Sequence, residues 1–174
     1  MLQAFVKHRK DIITKRTKYD LRKAKDRGHV VEGLMVAIAN IDQIISIIKK
    51  SKDPKIAAKE LCKKVWKSGP VEAILKKVGS DACKPKGLSK DLGLKGKKYK
   101  LSEDQAKAIL ELRLGRLTGL EQDNLSKEFS EIVEKILGLQ KILDDKQTLI
   151  DLMIGELEEI KENFGDERRT LIND

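Results

Sequence analysis

Apolar residues recur along two stretches of the chain at alternating steps of three and four. From Val31 they fall at Val31, Leu34, Ile38, Ile41, Ile45 and Ile48, an unbroken a/d seam. Extended backward, the seam takes in Ala24, Ile13 and Val6 but meets Arg27, Asp20, Thr17 and Lys10. No Pro interrupts it. This predicts one helix from about Leu2 to Lys49, roughly 70 Å long at 1.5 Å per residue. No convincing N-cap precedes Leu2, as expected where a chain begins inside a longer helix, so the sequence reads as a fragment. The second seam runs Leu125, Phe129, Ile132, Ile136, Leu139, Leu143, then Ile150, Met153, Leu157, Ile160 and Phe164, with Lys146 as its one polar member. It predicts a return helix of roughly 60 Å, stopped at Phe164-Gly165-Asp166.

Two seams of similar length joined by a long connection predict an antiparallel helical hairpin with a domain at its tip. The expected divisions are a first coiled-coil helix over 1–50, a helical tip over 51–120, a return helix over 121–164 and a tail over 165–174. Pairing Ile48 with Leu125 brings Ile41 to Ile132, Leu34 to Leu139, Ala24 to Ile150 and Ile13 to Ile160. Arg27 then faces Lys146 in one polar layer. Gly28, Gly33 and Gly138 are near that layer. Because a mid-helix Gly weakens a helix, they are candidate hinge positions; close packing against a bulky neighbour is the alternative.

Charge supports this register. The net charge of +9 is unevenly spread: residues 1–50 are basic, 51–120 more so, and 121–174 acidic. Lys7–Arg27, with 10 basic and 3 acidic groups, would lie beside Asp145–Glu167, with 8 acidic and 2 basic. Exposed pairs contribute under about 1 kcal/mol each, but together they disfavour a slipped or parallel arrangement.

The tip reads as short helices. Asp53-Pro54 opens one that runs to about Trp66, and Gly69-Pro70 opens another over Val71–Val78, stopped by Gly79. Residues 80–100 hold Gly87, Gly93, Gly96 and seven Lys, and read as an exposed loop. The run Lys95, Lys97, Lys98, Lys100 could touch phosphate. With only Tyr99 among it there is no stacking platform, and a solvated face is the plainer reading. Ser102 and Gln105 form a capping box before a helix over Ala106–Leu114. The apolar residues there exceed what a small tip easily hides. The expected partner surface is Ile109, Leu110, Leu112, Arg113, Leu114, Leu117 and Leu120. The alternative is a tip core in which Trp66, Val71 and Leu75 are their counterparts.

Composition narrows the class to all-α. Aromatics are 3% of the chain and there are 3 Pro, too few for a sandwich or barrel. No apolar run reaches membrane-spanning length, and no charged segment followed by an apolar one opens the chain, which argues against secretion. Cys62 and Cys83 lack zinc-ligand spacing and read as reduced thiols. The phosphate-loop, dinucleotide, zincin and nucleophile-elbow motifs are missing from the sequence. His8 and His29 stand 21 apart with no second ligand nearby. Asp144-Asp145 and Glu158-Glu159 are adjacent on a helix and so do not face one another. Tyr19 and Tyr99 have no activating context. No catalytic, cofactor or metal residue is expected; the residues alone describe a helical arm with an interaction tip.

Three stretches go further. Lys15–Asp42 reads KRTKYDLRKAKDRGHVVEGLMVAIANID, Leu101–Glu121 reads LSEDQAKAILELRLGRLTGLE, and Phe164–Ile172 reads FGDERRTLI. In order and spacing they resemble the coiled-coil and tip region of the bacterial DNA gyrase A-subunit family, over nearly the whole chain. The related A subunits of topoisomerase IV share parts of these stretches but have a shorter tip, so the insertion around Leu61–Lys100 favours gyrase. Lys84–Leu94 departs from the Trp-containing version common in gyrases. The resemblance implies an arm of an ATP-dependent type IIA topoisomerase that negatively supercoils DNA. Its tip would close on a second copy as an exit gate for the transported duplex. The cleaving Tyr would lie upstream and the DNA-wrapping domain downstream. ATP and magnesium would be handled elsewhere, mainly by the B subunit, so this stretch would use no cofactor. The implied partners are the gyrase B subunit, a second copy of this chain and, weakly or transiently, DNA, in the bacterial cytoplasm with the nucleoid and not at a membrane. The other reading, from the +9 charge and the Lys run, is a nucleic-acid-binding helical hairpin of the kind some tRNA synthetases carry. Steep salt dependence of binding would favour it.

Overall fold

A computed structural model describes residues 1–89, 91–112, 119–167 and 170, with the side chains at 77 and 120 excepted. The elements in chain order are α1 (Leu2–Ala39), α2 (Ile41–Lys50), α3 (Pro54–Lys63), β1 (Val65–Lys67), α4 (Val71–Val78), β2 (Gly93–Lys95), β3 (Lys98–Lys100), α5 (Glu103–Leu110), α6 (Gly119–Asp144) and α7 (Lys146–Phe164). The chain is all-α in character, with one small sheet. It divides into two compact units. One comprises Met1–Asp20 with Gly138–Asp174, the other Leu21–Leu137.

In the first unit, Ile13 and Met153 are buried, and the Thr17 hydroxyl donates to the Ile13 carbonyl at 2.8 Å. Arg9 pairs with Glu156 at 3.0 Å, and Arg16 reaches the same carboxylate. The basic first helix and the acidic return helix do meet here, as their charges predict. The expected single return helix is instead two. Asp145 leaves helical geometry (φ −110°, ψ 117°) and its carboxylate accepts from the Gln147 and Thr148 amides, capping α7. Lys146 is therefore the first residue of a new helix and not a polar member of a continuous seam.

The second unit holds most of the core. From Val31 to Ala37 every residue of α1 is buried, so this part of the helix is packed on all sides and does not show one apolar stripe to a single partner. The expected helix to Lys49 breaks at Asn40, where α1 and α2 bend by 91°. The Asn40 side-chain amide explains the break. It donates back to the Val36 carbonyl at 2.8 Å and across to the Lys67 carbonyl at 2.9 Å, tying the helix end to β1. Beyond the bend Ile44 is buried while Ile48 is exposed, so the seam does not continue through Ile41, Ile45 and Ile48.

Losing those ten residues shifts the register. Ile38 and Ala39, not Ile48, lie by Leu125 around one shallow hollow. A Cβ on Gly28 would lie 3.1 Å from Ile132 Cγ2, a residue expected opposite Ile41. Arg27 pairs with Glu128 at 2.5 Å and not with a Lys146 layer.

Residues 64–100 contain the sheet that the all-helical reading of the tip lacked. The strand order is β1-β3-β2, antiparallel throughout. Trp66, Tyr99 and Leu94 share one row, all buried. Gly96, with φ 62°, supplies the left-handed first position of the two-residue turn between β2 and β3. Trp66 lies on β1, past the end of α3, and its indole N–H donates to the Leu61 carbonyl at 2.9 Å. Local signals fared better: Asp53 caps α3 with Pro54 behind it, Gly79 ends α4 at φ 106°, and both halves of the Ser102–Gln105 capping box are formed.

Candidate functional site

Of the residues expected to form a partner surface, Arg113, Leu114 and Leu117 lie outside the described residues, as does the side chain of Leu120. Leu110 and Leu112 are partly buried. Ile109 is 4% exposed and belongs to the core with Trp66, Val71 and Leu75, so it has almost no surface left for a partner. Of the candidate hinge glycines, Gly28 and Gly33 sit inside the continuous α1 and mark close approaches. A Cβ at Gly28 would be 3.1 Å from Cys83 Sγ, and one at Gly33 would be 2.6 Å from Gln105 Cγ. Gly138 has open space around it.

The most organised polar feature was not expected. At the meeting of α1, β3 and α5, His29, Glu32, Tyr99, Ser102 and Gln105 are all buried, each 3% exposed or less. Gln105 is its hub. Its side-chain oxygen accepts from the Ser102 amide at 3.0 Å, completing the capping box. Its side-chain nitrogen donates to the His29 carbonyl and to the Tyr99 hydroxyl, each at 2.7 Å. Those contacts fix the orientation of the amide, because turning it over would set its oxygen against a carbonyl and its NH2 against an N–H. The same nitrogen lies 3.3 Å from His29 Nδ1. His29 Nε2 lies 2.7 Å from Ser102 Oγ, so the ring and the hydroxyl share one hydrogen bond. Burial holds the His29 pKa below its usual value, partly opposed by Asp104 and Asp26, and keeps the ring neutral.

This arrangement excludes nucleophilic catalysis at Ser102. Its oxygen belongs to a buried residue only 3% exposed, is shared with His29 Nε2 and accepts from the Gln105 amide at 3.3 Å, so no substrate can reach it. Glu32 lies under the same roof. The Tyr99 hydroxyl donates to its carboxyl, yet burial dominates and pushes its pKa up to about 7. The Cys83 thiol is fully buried and pushed up to about 12, chiefly by burial and then by Glu32, so it is not a reactive thiolate. Among the described residues no three His, Cys, Asp or Glu side chains gather as a metal would require.

What the network does is mechanical. It bolts α5 to α1 through hydrogen bonds that have no water to compete with them, and so anchors the base of the Leu-rich segment that follows Leu110. A sequence clue existed: Glu32 is the one charged residue in the run VVEGLMVAIA, and an acid so surrounded must find partners.

Residues 1–158 match the family model that describes the A subunits of DNA gyrase and topoisomerase IV. The chain is 48% identical to the DNA gyrase A subunit of Pseudomonas aeruginosa over 172 residues, covering 99% of this chain and 19% of that protein. It is 43% identical to the protein of the same name from Aeromonas salmonicida over 168 residues, 97% of this chain and 18% of the relative. For Salmonella typhimurium the figures are 44% over 172 residues, 99% and 20%. The chain thus spans about a fifth of the length of the curated relatives it matches.

Proposed function

The chain belongs to the family of DNA gyrase and topoisomerase IV A subunits, and on that premise we propose that it is a non-catalytic arm whose tip closes against a second copy as an exit gate for a transported DNA duplex. The observation that carries this reading is the contrast along α5 and the two residues after it. Gln105 and Ile109 are buried, while Leu110 and Leu112, at the start of the Leu-rich segment, keep exposed surface beside a rigidly held base. A gate needs such a pairing. The contact must be apolar enough to close and small enough to open, and a two-fold contact lets one patch serve both copies. Leu110, Leu112, Leu114, Leu117 and Leu120, with Arg113 at the rim, are the proposed contact.

On this reading DNA cleavage, ATP and magnesium belong to other parts of the assembly, including a B subunit, and the assembly works in the bacterial cytoplasm. No single helix among the described residues is long and apolar enough to cross a membrane. Of the candidate hinge glycines, Gly138 is the one we keep as a proposal, because a side chain there would meet open space and no packing contact accounts for the glycine. The test is solution mass by light scattering at several concentrations and salts. A mass near twice 19.7 kDa, insensitive to salt and lost in the double variant Leu112→Asp, Leu114→Asp with the fold intact, is the expected result. A variant that still dimerises overturns the placement of the contact. A wild-type chain that stays monomeric overturns the tip as a self-sufficient gate.

A further inference from the structure

The sheet pairs residues in a way that leaves an electrostatic cost only partly compensated. Lys67, Lys98 and Lys95 are direct partners in one row across all three strands, and all three are exposed. The buried row of Trp66, Tyr99 and Leu94 faces the core, so this lysine row lies on the opposite face. The next row on that face, Val65, Lys100 and Gly93, adds a fourth lysine. Like charges directly opposite one another destabilise a sheet. Within this patch Asp91 pairs with Lys95 at 2.9 Å; no carboxylate bridges Lys67, Lys98 or Lys100 in any ion pair among the described residues.

We propose that this lysine-bearing face of the sheet binds the phosphate backbone of duplex DNA, through the juxtaposition of Lys67, Lys98 and Lys95 in one cross-strand row with Lys100 beside it. The chemistry favours phosphate over an acidic protein. Lys is depleted where proteins bind proteins, and Val65 is the only large apolar side chain on the two rows. It favours a duplex over a single strand because both aromatic side chains of the sheet point inward, leaving no stacking platform. The scale also fits. Three strands span about 10 Å, a length over which a duplex presents about six phosphates. No base edge is addressed, so binding is independent of sequence. The choice of DNA rests on the proposed reading of the chain as a gate that DNA passes.

The test is fluorescence anisotropy of a labelled duplex of about 20 base pairs titrated with the whole chain at several salt concentrations. With the unbridged Lys67, Lys98 and Lys100 neutralising three phosphates and Lys95 held by Asp91, affinity is expected to fall about 40-fold between roughly 50 and 200 mM salt. The triple variant Lys67→Gln, Lys95→Gln, Lys98→Gln lowers the slope of log affinity against log salt by about 2. The triple variant Lys52→Gln, Lys55→Gln, Lys59→Gln changes net charge equally but leaves that slope within about 1 of the wild type. Equal losses in both triples would mean net charge alone and overturn the proposal. So would displacement of the duplex by poly-glutamate as readily as by unlabelled duplex, which would point to an acidic protein. Should the sheet triple lose its native Trp66 fluorescence, Lys98→Gln alone is read, with an expected slope change of about 0.9. A chain that dimerises but ignores the duplex overturns this proposal and leaves the gate standing; one that binds the duplex through this face as a monomer does the reverse.

Discussion

Replacing Glu32 with Gln isolates the energetic consequence of burying a carboxyl inside the α1–β3–α5 network. The native protein holds the Glu32 pKa at about 7, against a usual value of 4.5. Between those pH values the folded chain keeps a proton that the unfolded chain releases, so stability falls as pH rises through the window. At 1.36 kcal/mol per pH unit the full effect is about 3 kcal/mol, complete above the folded-state value and absent below the unfolded one. Gln has the same shape, still accepts from the Tyr99 hydroxyl and does not ionise. The stability of Glu32→Gln relative to wild type is therefore expected to climb by about 3 kcal/mol from about pH 4.5 to 8. His29 titrates in the opposite sense, since its lowered pKa makes stability rise with pH. The charges acting on it are those of Asp104, Asp26 and Lys84, not Glu32, so its contribution cancels in the difference. The assay is urea unfolding at each pH, read by fluorescence of the single Trp, which is buried in the same compact unit as Glu32. A difference that stays flat within about 0.5 kcal/mol across the range would refute the claim that Glu32 ionises at such a cost.

Other substitutions probe separate contacts. Gly33→Ala puts a methyl against a Gln105 side chain held at both ends; overpacking of about 1–3 kcal/mol, less the roughly 1 kcal/mol gained in helix propensity, leaves a net loss of up to about 2 kcal/mol in the same urea assay. Asp145→Ala removes the α7 cap, and hydrogen exchange is expected to show lost protection at the Gln147 and Thr148 amides. In the wild type, bonding to Thr148 and Gln147 holds the Asp145 pKa below its usual 3.8, so the charged cap persists through neutral pH and fades as pH falls past that lowered value. With a thiol reagent, partly buried Cys62 reacts in the native state while Cys83 waits for unfolding, because at pH 8 on the order of one Cys83 thiol in ten thousand is ionised even before access is considered.

Features fixed by neighbours in sequence were legible: the Asp53-Pro54 start, the Gly79 stop and the Ser102–Gln105 box each need only three or four residues to act. The two helix breaks were hidden because the apolar spacing carries straight across them. The three-four rhythm passes Asn40 undisturbed, and the reason to stop there is a carbonyl on Lys67, far along the chain. At Asp145 the information was local, an acid followed by Gln147 and Thr148, but counting Lys146 as a seam member covered it. The sheet was hidden by its composition. Three-residue strands with lysine on the outer face look like loop, and only the pairing of Trp66 with Tyr99 and Leu94 makes them strands. The polar network was partly visible in the isolation of Glu32, although its partners come from β3 and α5.

The contact between Gly33 and Gln105 also bears on how sequences of this kind can drift. The missing Cβ and the long amide occupy one shared volume, separated by 72 positions of chain. Neither can be exchanged freely while the other stays. A larger residue at 33 becomes tolerable only with a shorter one at 105, and a shorter residue at 105 strands the Ser102 amide unless the cap is rebuilt as well. The two positions should therefore be inherited as a linked pair, with substitutions arriving together or not at all, and Tyr99 as the third member that follows them.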